Sequence, residues 1–257
     1  MTKIIITAVM ALVSFLAQAQ VSEFRKTGSF SKIEVESGIE LIYSENSNVS
    51  IKAEAENEKD LRNLVTEVKG KTLRIYYVTE NKTTISNPLK IYVNANTVDS
   101  FKAVANAKII FKNSVKSEEI QIDVASGASF TGILAQNAKV TVNASTGALF
   151  CGQVETDYLS GNFKTGATVS LSGKAKKAVL NTSSGSFCTA KNLALENATI
   201  NAKELSSVLI NGRGKINANA ESGSSITYFG KPKAVNIAEN SIAINNRKHS
   251  QLLIAMD

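Results

Sequence analysis

Of the side chains that carry acid–base, metal or nucleophilic chemistry, this sequence offers one histidine, His249, two cysteines, Cys151 and Cys188, and a thin scatter of acids. A cysteine nucleophile needs a base that holds it as the thiolate, and His249 stands in the C-terminal tail, remote in sequence from both thiols. Polysaccharide-cleaving β-helices gather acids on one outer face, as general acid and base or as Ca²⁺ ligands. Between Asp123 and Glu196 the only acids are Glu155 and Asp157, in a stretch between repeats. What does recur is amide chemistry: Asp123, Asn143, Asn162, Asn181 and Asn219 each stand four residues ahead of a small-residue turn. Amides stacked in register hydrogen-bond to the copies above and below, so the spacing points to a structural ladder. A stripe that meets sugar hydroxyls is the functional rival, weakened by the lack of aromatic platforms. No catalytic, cofactor-binding or metal-ligating residue is assigned, and the chain reads as a non-enzyme.

The elements that would hold these residues are written in the composition. The 257 residues are 43% hydrophobic and 20% charged, with 15 Gly, 2 Pro and no Trp, enough for a sizeable core. Val, Ile, Thr, Ser and Asn dominate, the vocabulary of strands and turns. Met1-Thr2-Lys3, an apolar run from Ile4 to Leu16 and Ala17-Gln18-Ala19 read as a signal peptide over 1–19, cut after Ala19. The run falls short of the roughly 20 apolar residues that cross a bilayer. The mature chain is therefore expected outside the cytoplasm, in the periplasm, on the outer-membrane surface or secreted, with no transmembrane segment after cleavage. The formal charge of +7 falls by one with Lys3. Basic groups at Lys174, Lys176 and Lys177, at Lys231 and Lys233, and at Arg247 and Lys248 have no interleaved aromatics on which bases could stack. Nucleic acid is not an expected partner.

Residues 20–100 read as paired strands. Ile33 and Val35, then Ile39, Leu41 and Tyr43, alternate around Ser37-Gly38, which suits two strands joined at a tight turn. Further alternating runs start at Val49, Thr72 and Leu89. Between them, Leu61, Leu64, Val65 and Val68 recur at spacings of three and four, with Asn57 as cap and Asp60 in the first turn, and predict a short amphipathic helix over 56–68.

From 101 to 245 the chain repeats itself. Ile122-Asp123-Val124-Ala125-Ser126-Gly127-Ala128-Ser129-Phe130 and Val142-Asn143-Ala144-Ser145-Thr146-Gly147-Ala148-Leu149-Phe150 are copies. Turns at Asn106, Gly127, Gly147, Gly166, Gly185, Ser206 and Gly223 are 17 to 21 residues apart. No copy has a 3.6-residue period, so the spacing predicts an all-β fold, a parallel β-solenoid with one coil per copy. At about 4.8 Å per layer the rod is on the order of 30 Å long. Ile120, Ile122 and Val124 share an inner face with Val140, Val142 and Ala144, and so on through Leu159, Leu180 and Ile216. A second inner ladder is expected from Phe130, Phe150, Val169, Phe187, Val208 and Ile226. Exposed coil ends should be covered by the N-terminal strands, the 246–257 tail or another subunit, which leaves oligomerisation open.

Cys151 and Cys188 each follow a phenylalanine of that ladder, so on this reading they are equivalent sites two coils apart with Ser170 between. Their Cα atoms would lie roughly 9–10 Å apart, beyond the roughly 7 Å that a disulfide spans, and two free thiols are expected. Gly212-Arg213-Gly214-Lys215 lacks the rest of a phosphate loop and reads as a turn.

Phe30-Ser31-Lys32-Ile33-Glu34-Val35 with Gly38, Val49-Ser50-Ile51, Asn63-Leu64-Val65 before Gly70-Lys71-Thr72-Leu73-Arg74-Ile75, the Ser-Gly repeats and Ile226 to Pro232 together resemble the auto-transporter adhesin head domain, also called the GIN domain. The resemblance spans about residues 24 to 245. It implies an exported β-helical protein with an adhesin-like role, and it supplies no catalytic residues. The leading expectation is a non-enzymatic exported β-solenoid that meets glycan or cell-surface protein through its surface. The alternatives are a polysaccharide lyase or hydrolase on the same scaffold and a periplasmic envelope-stress sensor or assembly partner.

Overall fold

The computed structural model describes residues 20–78, 89–239, 241 and 243–246; residues 1–19, read above as a signal peptide, and the tail residues Arg247, Lys248 and His249 lie outside them. The described strands join one 18-stranded sheet, and 67% of the protein is strand, wound into a β-solenoid of about 7 turns with the roughly 20-residue spacing that the repeat predicts.

Each coil has two faces. The first stacks β2 (Lys32–Val35), β8 (Ser100–Ala103), β10 (Glu119–Ala125) and the C-terminal halves of β11 (Ser129–Ser145), β12 (Leu149–Lys164), β13 (Thr168–Thr182), β14 (Phe187–Ala202) and β15 (Ser207–Ala220). All are parallel, and one inner column runs Ile33, Phe101, Ile122, Val142, Gly161, Leu180, Ile200, Ala218. The second face stacks β3 (Glu40–Glu45), β9 (Lys108–Phe111) and the N-terminal halves of β11 to β15, followed by β16 (Ser225–Phe229) and β18 (Ile244–Asn246). Its inner column runs Leu41, Ile109, Phe130, Phe150, Val169, Cys188, Val208, Ile226. Period-2 alternation puts both columns inside, and all of these residues are buried. Cys188, not Phe187, holds the ladder position; Phe187 points outward and is 39% exposed.

A tight turn joins the two faces in every coil. Two consecutive residues have positive φ in each: Ser37-Gly38, Ala105-Asn106, Ser126-Gly127, Thr146-Gly147, Thr165-Gly166, Ser184-Gly185, Glu204-Leu205 and Ser222-Gly223. The second N–H of each donates to the first carbonyl of the next coil, from Gly38 to Ala105 and onward to Leu205 and Ser222, at 2.9–3.0 Å. This explains why glycine recurs there, since the second position is the one that most needs left-handed backbone. In the copy whose turn the spacing put at Ser206, the turn residue is Leu205. Ser206 turns inward, and its hydroxyl donates to Thr182 O at 2.9 Å.

The N-terminal strands correct two expectations. β2 and β3 flank a tight turn but do not pair with each other; they are two sides of one coil and pair in parallel with β8 and β9. The helix α1 spans only Glu58–Asn63, capped by the Asn57 side chain, which accepts from Asp60 N at 2.9 Å. Leu64, Val65 and Val68 belong to strand β5 (Leu64–Lys69), antiparallel to β6 (Thr72–Tyr77). The spacing of three and four was shared by a helix and the strand after it. Arg25 on β1 (Val21–Arg25) donates to Leu61 O at 2.7 Å and Leu64 O at 2.6 Å, satisfying carbonyls at the end of α1 that the helix leaves free. On the second face β4 (Ser50–Ala55) runs antiparallel to β7 (Lys90–Ala95), and β1 antiparallel to β4. The parallel stack thus ends in antiparallel strands at this end, which terminates the coil pattern.

Gly212 to Lys215 lies inside β15, not in a turn. An added Cβ on Gly214 would collide with the carbonyl oxygen of Glu196 in the coil before. Glycine there serves close approach between coils, not a phosphate.

Candidate functional site

The amide ladder is present, with Asn201 rather than Asn219 as its last bonded member. Asn143 Nδ2 donates to Asp123 Oδ1 at 2.6 Å, Asn162 to Asn143 at 3.0 Å, Asn181 to Asn162 at 3.0 Å and Asn201 to Asn181 at 2.9 Å. Asn201 was missed because no glycine marks its turn, which falls at Glu204-Leu205. Asn219 stands next in register, but its Nδ2 turns to Glu221 Oε1 at 2.6 Å. In the other direction the same column carries Lys102, which pairs with Glu34 at 2.6 Å. The ladder spends an Nδ2 and an Oδ1 of each central Asn on its neighbours, so it stiffens the first face and leaves little of each amide for a ligand.

The thiols are both free, but for a different reason from the one expected. Cys151 registers with Ser170, and Cys188 registers with Val169 and Val208. Alternation therefore sends Cys151 outward and Cys188 into the core. Burial pushes the Cys188 thiol from 9.0 up to about 12, and Tyr43, whose hydroxyl donates to Ala95 O at 2.7 Å, is also raised, by burial first and by Glu45 second. A group with a raised folded pKa keeps its proton in the fold while the unfolded chain has already lost it. Stability is therefore expected to be constant with respect to Cys188 below pH 9 and to fall from there to about pH 12. Native alkylation at neutral pH should modify Cys151 alone, read by intact mass, with Cys188 reacting only in denaturant. Equal labelling of both in the native state would refute the placement.

The acids are split. Asp123 belongs to the ladder, where Gln121 Nε2 donates to its Oδ2 at 2.7 Å. Glu155 and Asp157 lie elsewhere, at the second corner of the coil, where β11 to β15 bend from one face to the other. They line a groove of about 610 Å³ with Gln136, Asn137, Lys174, Lys176, Glu196 and Arg213. Its floor includes the buried Thr156 and Ala175, Ala138 and Ala194 also line it, and its rims are charged. Lys174 pairs with Glu155 at 2.7 Å and Lys176 with Asp157 at 2.7 Å; the hydrogen bond and charge of Asp157, with Glu196 adding to them, raise the Lys176 pKa. Lys174 and Lys176 are strand residues on this groove. Among the described residues no group of three His, Cys, Asp or Glu side chains is placed to hold a metal ion, and no helix is long and apolar enough to cross a membrane.

The profile of a family described as "Putative auto-transporter adhesin, head GIN domain" matches residues 29–232. Three solved structures share the fold. A "putative lipid binding protein" from Parabacteroides distasonis superposes with a TM-score of 0.79 at 19% identity, covering 89% of this chain and 96% of its own. A "putative adhesin" from Parabacteroides merdae gives 0.77 at 17% identity over 89% and 96%. A "putative adhesin" from Bacteroides fragilis gives 0.65 at 15% identity over 90% and 98%. No curated protein matches.

Proposed function

The chain belongs to the head GIN domain family of auto-transporter adhesins, and from that premise we propose that it is an exported, non-enzymatic surface-interaction module, adhesin-like in its task. The single observation that carries this reading is the outward face of the solenoid. Backbone ladders, left-handed corners and stacked amides fix every coil to the next, so side chains at one position form rigid columns of roughly 4.8 Å pitch. Such a surface makes repeated contacts with an extended partner without reorganising, which keeps the ordering cost of binding low. Cleavage of a glycosidic bond is not supported by the acids. Asp123 is spent in the ladder, and Glu155 and Asp157 are each held by a lysine, whereas glycoside hydrolysis needs two carboxyls flanking one bond.

The test is surface biotinylation of expressing cells together with binding of the purified mature chain to immobilised glycans and intact cells. The reading expects the intact protein to be labelled from outside and to bind saturably with no new reducing ends released. Confinement to the cytoplasm, or turnover of a polysaccharide, would overturn it.

A further inference from the structure

The groove at the second corner has a donor inventory that the fold does not consume. Its outer rim runs along the solenoid axis as Asp157, Lys176, Glu196 and Arg213, one residue from each of four successive coils, alternating in sign. Asp157 and Lys176 neutralise each other at 2.7 Å. Arg213, at the far end, is exposed and makes no ion pair or hydrogen bond among the described residues. On the floor, Asn137 is only 3% exposed. Its Oδ1 accepts from Ser117 N at 2.8 Å, and its Nδ2 has no partner. A buried donor left unpaired costs about 1–3 kcal/mol, so this position gains from a ligand or water that accepts from it.

From these groups we infer that the groove is a binding site for an acidic oligosaccharide of the uronate class, a proposal that rests on the surface-interaction reading above. A guanidinium free of other duties binds a carboxylate through two parallel N–H···O bonds. The groove crosses five coils, roughly 20 Å at about 4.8 Å per coil, and a pyranose unit is about as long as one coil is thick. A chain of four sugars laid along the axis therefore sets one ring over each step. Its carboxylate meets Arg213, its hydroxyls donate to the Glu196 carboxylate and accept from Gln136 and Asn137. The small floor residues leave room for rings, and the lack of aromatic side chains among the lining residues makes the charge contact the source of selectivity. A peptide is disfavoured because the strand backbones beneath already bond to the coils on either side.

The experiment is calorimetric titration of the full mature chain with tetragalacturonate and with its fully methyl-esterified, neutral counterpart, at low and physiological salt. The expected result is saturable binding of the acid form, at least tenfold weaker binding of the ester, and weakening with salt. Arg213→Gln should reduce affinity at least tenfold and Arg213→Lys should recover only part of it, while Lys102→Gln, on the ladder column, leaves it unchanged. Arg213 is exposed, so its variants should unfold at the wild-type temperature. No saturable binding, equal binding of the ester, or wild-type affinity in Arg213→Gln would each overturn the assignment. If cells and glycan surfaces are still bound in any of those cases, only the groove fails; if they are not, the surface-interaction reading fails with it.

Discussion

Replacing Phe150 by Ala is expected to cost about 3–5 kcal/mol of unfolding free energy, in the range for an aromatic truncation in a closed core. Phe150 is 2% exposed and lies flat on Phe130, with ring centroids 4.8 Å apart and planes 8° from parallel. Phe130 in turn meets Phe111 edge-on at 4.9 Å, and Phe111 meets Tyr43 and Phe101 at 5.3 and 4.7 Å. The cluster thus ties the coil containing β3 to those containing β9, β11 and β12. An added Cβ on Gly152 would strike the Phe150 ring, so that glycine keeps the space the ring fills. Truncation leaves a cavity that neighbours pinned in register on both sides cannot collapse to fill. Phe187→Ala is the control: its side chain is 39% exposed, and its loss should cost well under half as much in chemical denaturation. Equal costs would mean that the ladder assignment is wrong.

Gly173→Ala should be nearly as severe, about 3 kcal/mol or more, because two penalties coincide. Gly173 sits at φ +103°, a backbone that costs a residue with a Cβ about 1–3 kcal/mol, and the new Cβ would collide with the carbonyl oxygen of Val154 in the coil before. A carbonyl engaged between coils cannot swing away as a flexible side chain would, so overpacking adds a further 1–3 kcal/mol or so. Gly147→Ala separates the two causes. Its φ is +69° but nothing lies within 4 Å of its added Cβ, so only the left-handed term of about 1–2 kcal/mol remains. Thermal denaturation of the two variants should order them in that way; the reverse order would contradict the corner geometry.

The sequence made the coil legible wherever a glycine marked the turn. Counting three residues on from Gly127, Gly147, Gly166 and Gly185 reaches Phe130, Phe150, Val169 and Cys188, all inward. Aromatic identity drew the eye to Phe187 instead, one residue early, and with it misaligned the two cysteines. In the coil holding Ala198, Ile200 and Ala202 the turn was placed one residue late, at Ser206, and those inward residues went unnamed, because its turn is Glu204-Leu205, held left-handed by the hydrogen bonds of the coils around it rather than by its own residue type. Pairing of β2 with β8 joins residues far apart in sequence, which no local alternation encodes. The groove was not legible for the same reason: Asp157, Lys176, Glu196 and Arg213 are one per coil, and only the stacking of the coils brings them to a common hollow. The amide ladder was visible early because its residues repeat at the same distance from each turn.

Columns and groove exist only if the coils stack in the register described, and one cross-link tests that most directly. Cys151 and Ser170 are in-register neighbours on adjacent coils, both exposed, at a Cα separation of about 4.8 Å, inside the range that a disulfide spans. Mild oxidation of the Ser170→Cys variant should close an intramolecular bond between positions 151 and 170, mapped by peptide mass, with Cys188 left reduced. A variant that keeps both surface thiols free under the same oxidation, or joins position 170 to Cys188, would contradict the stack and everything placed on it.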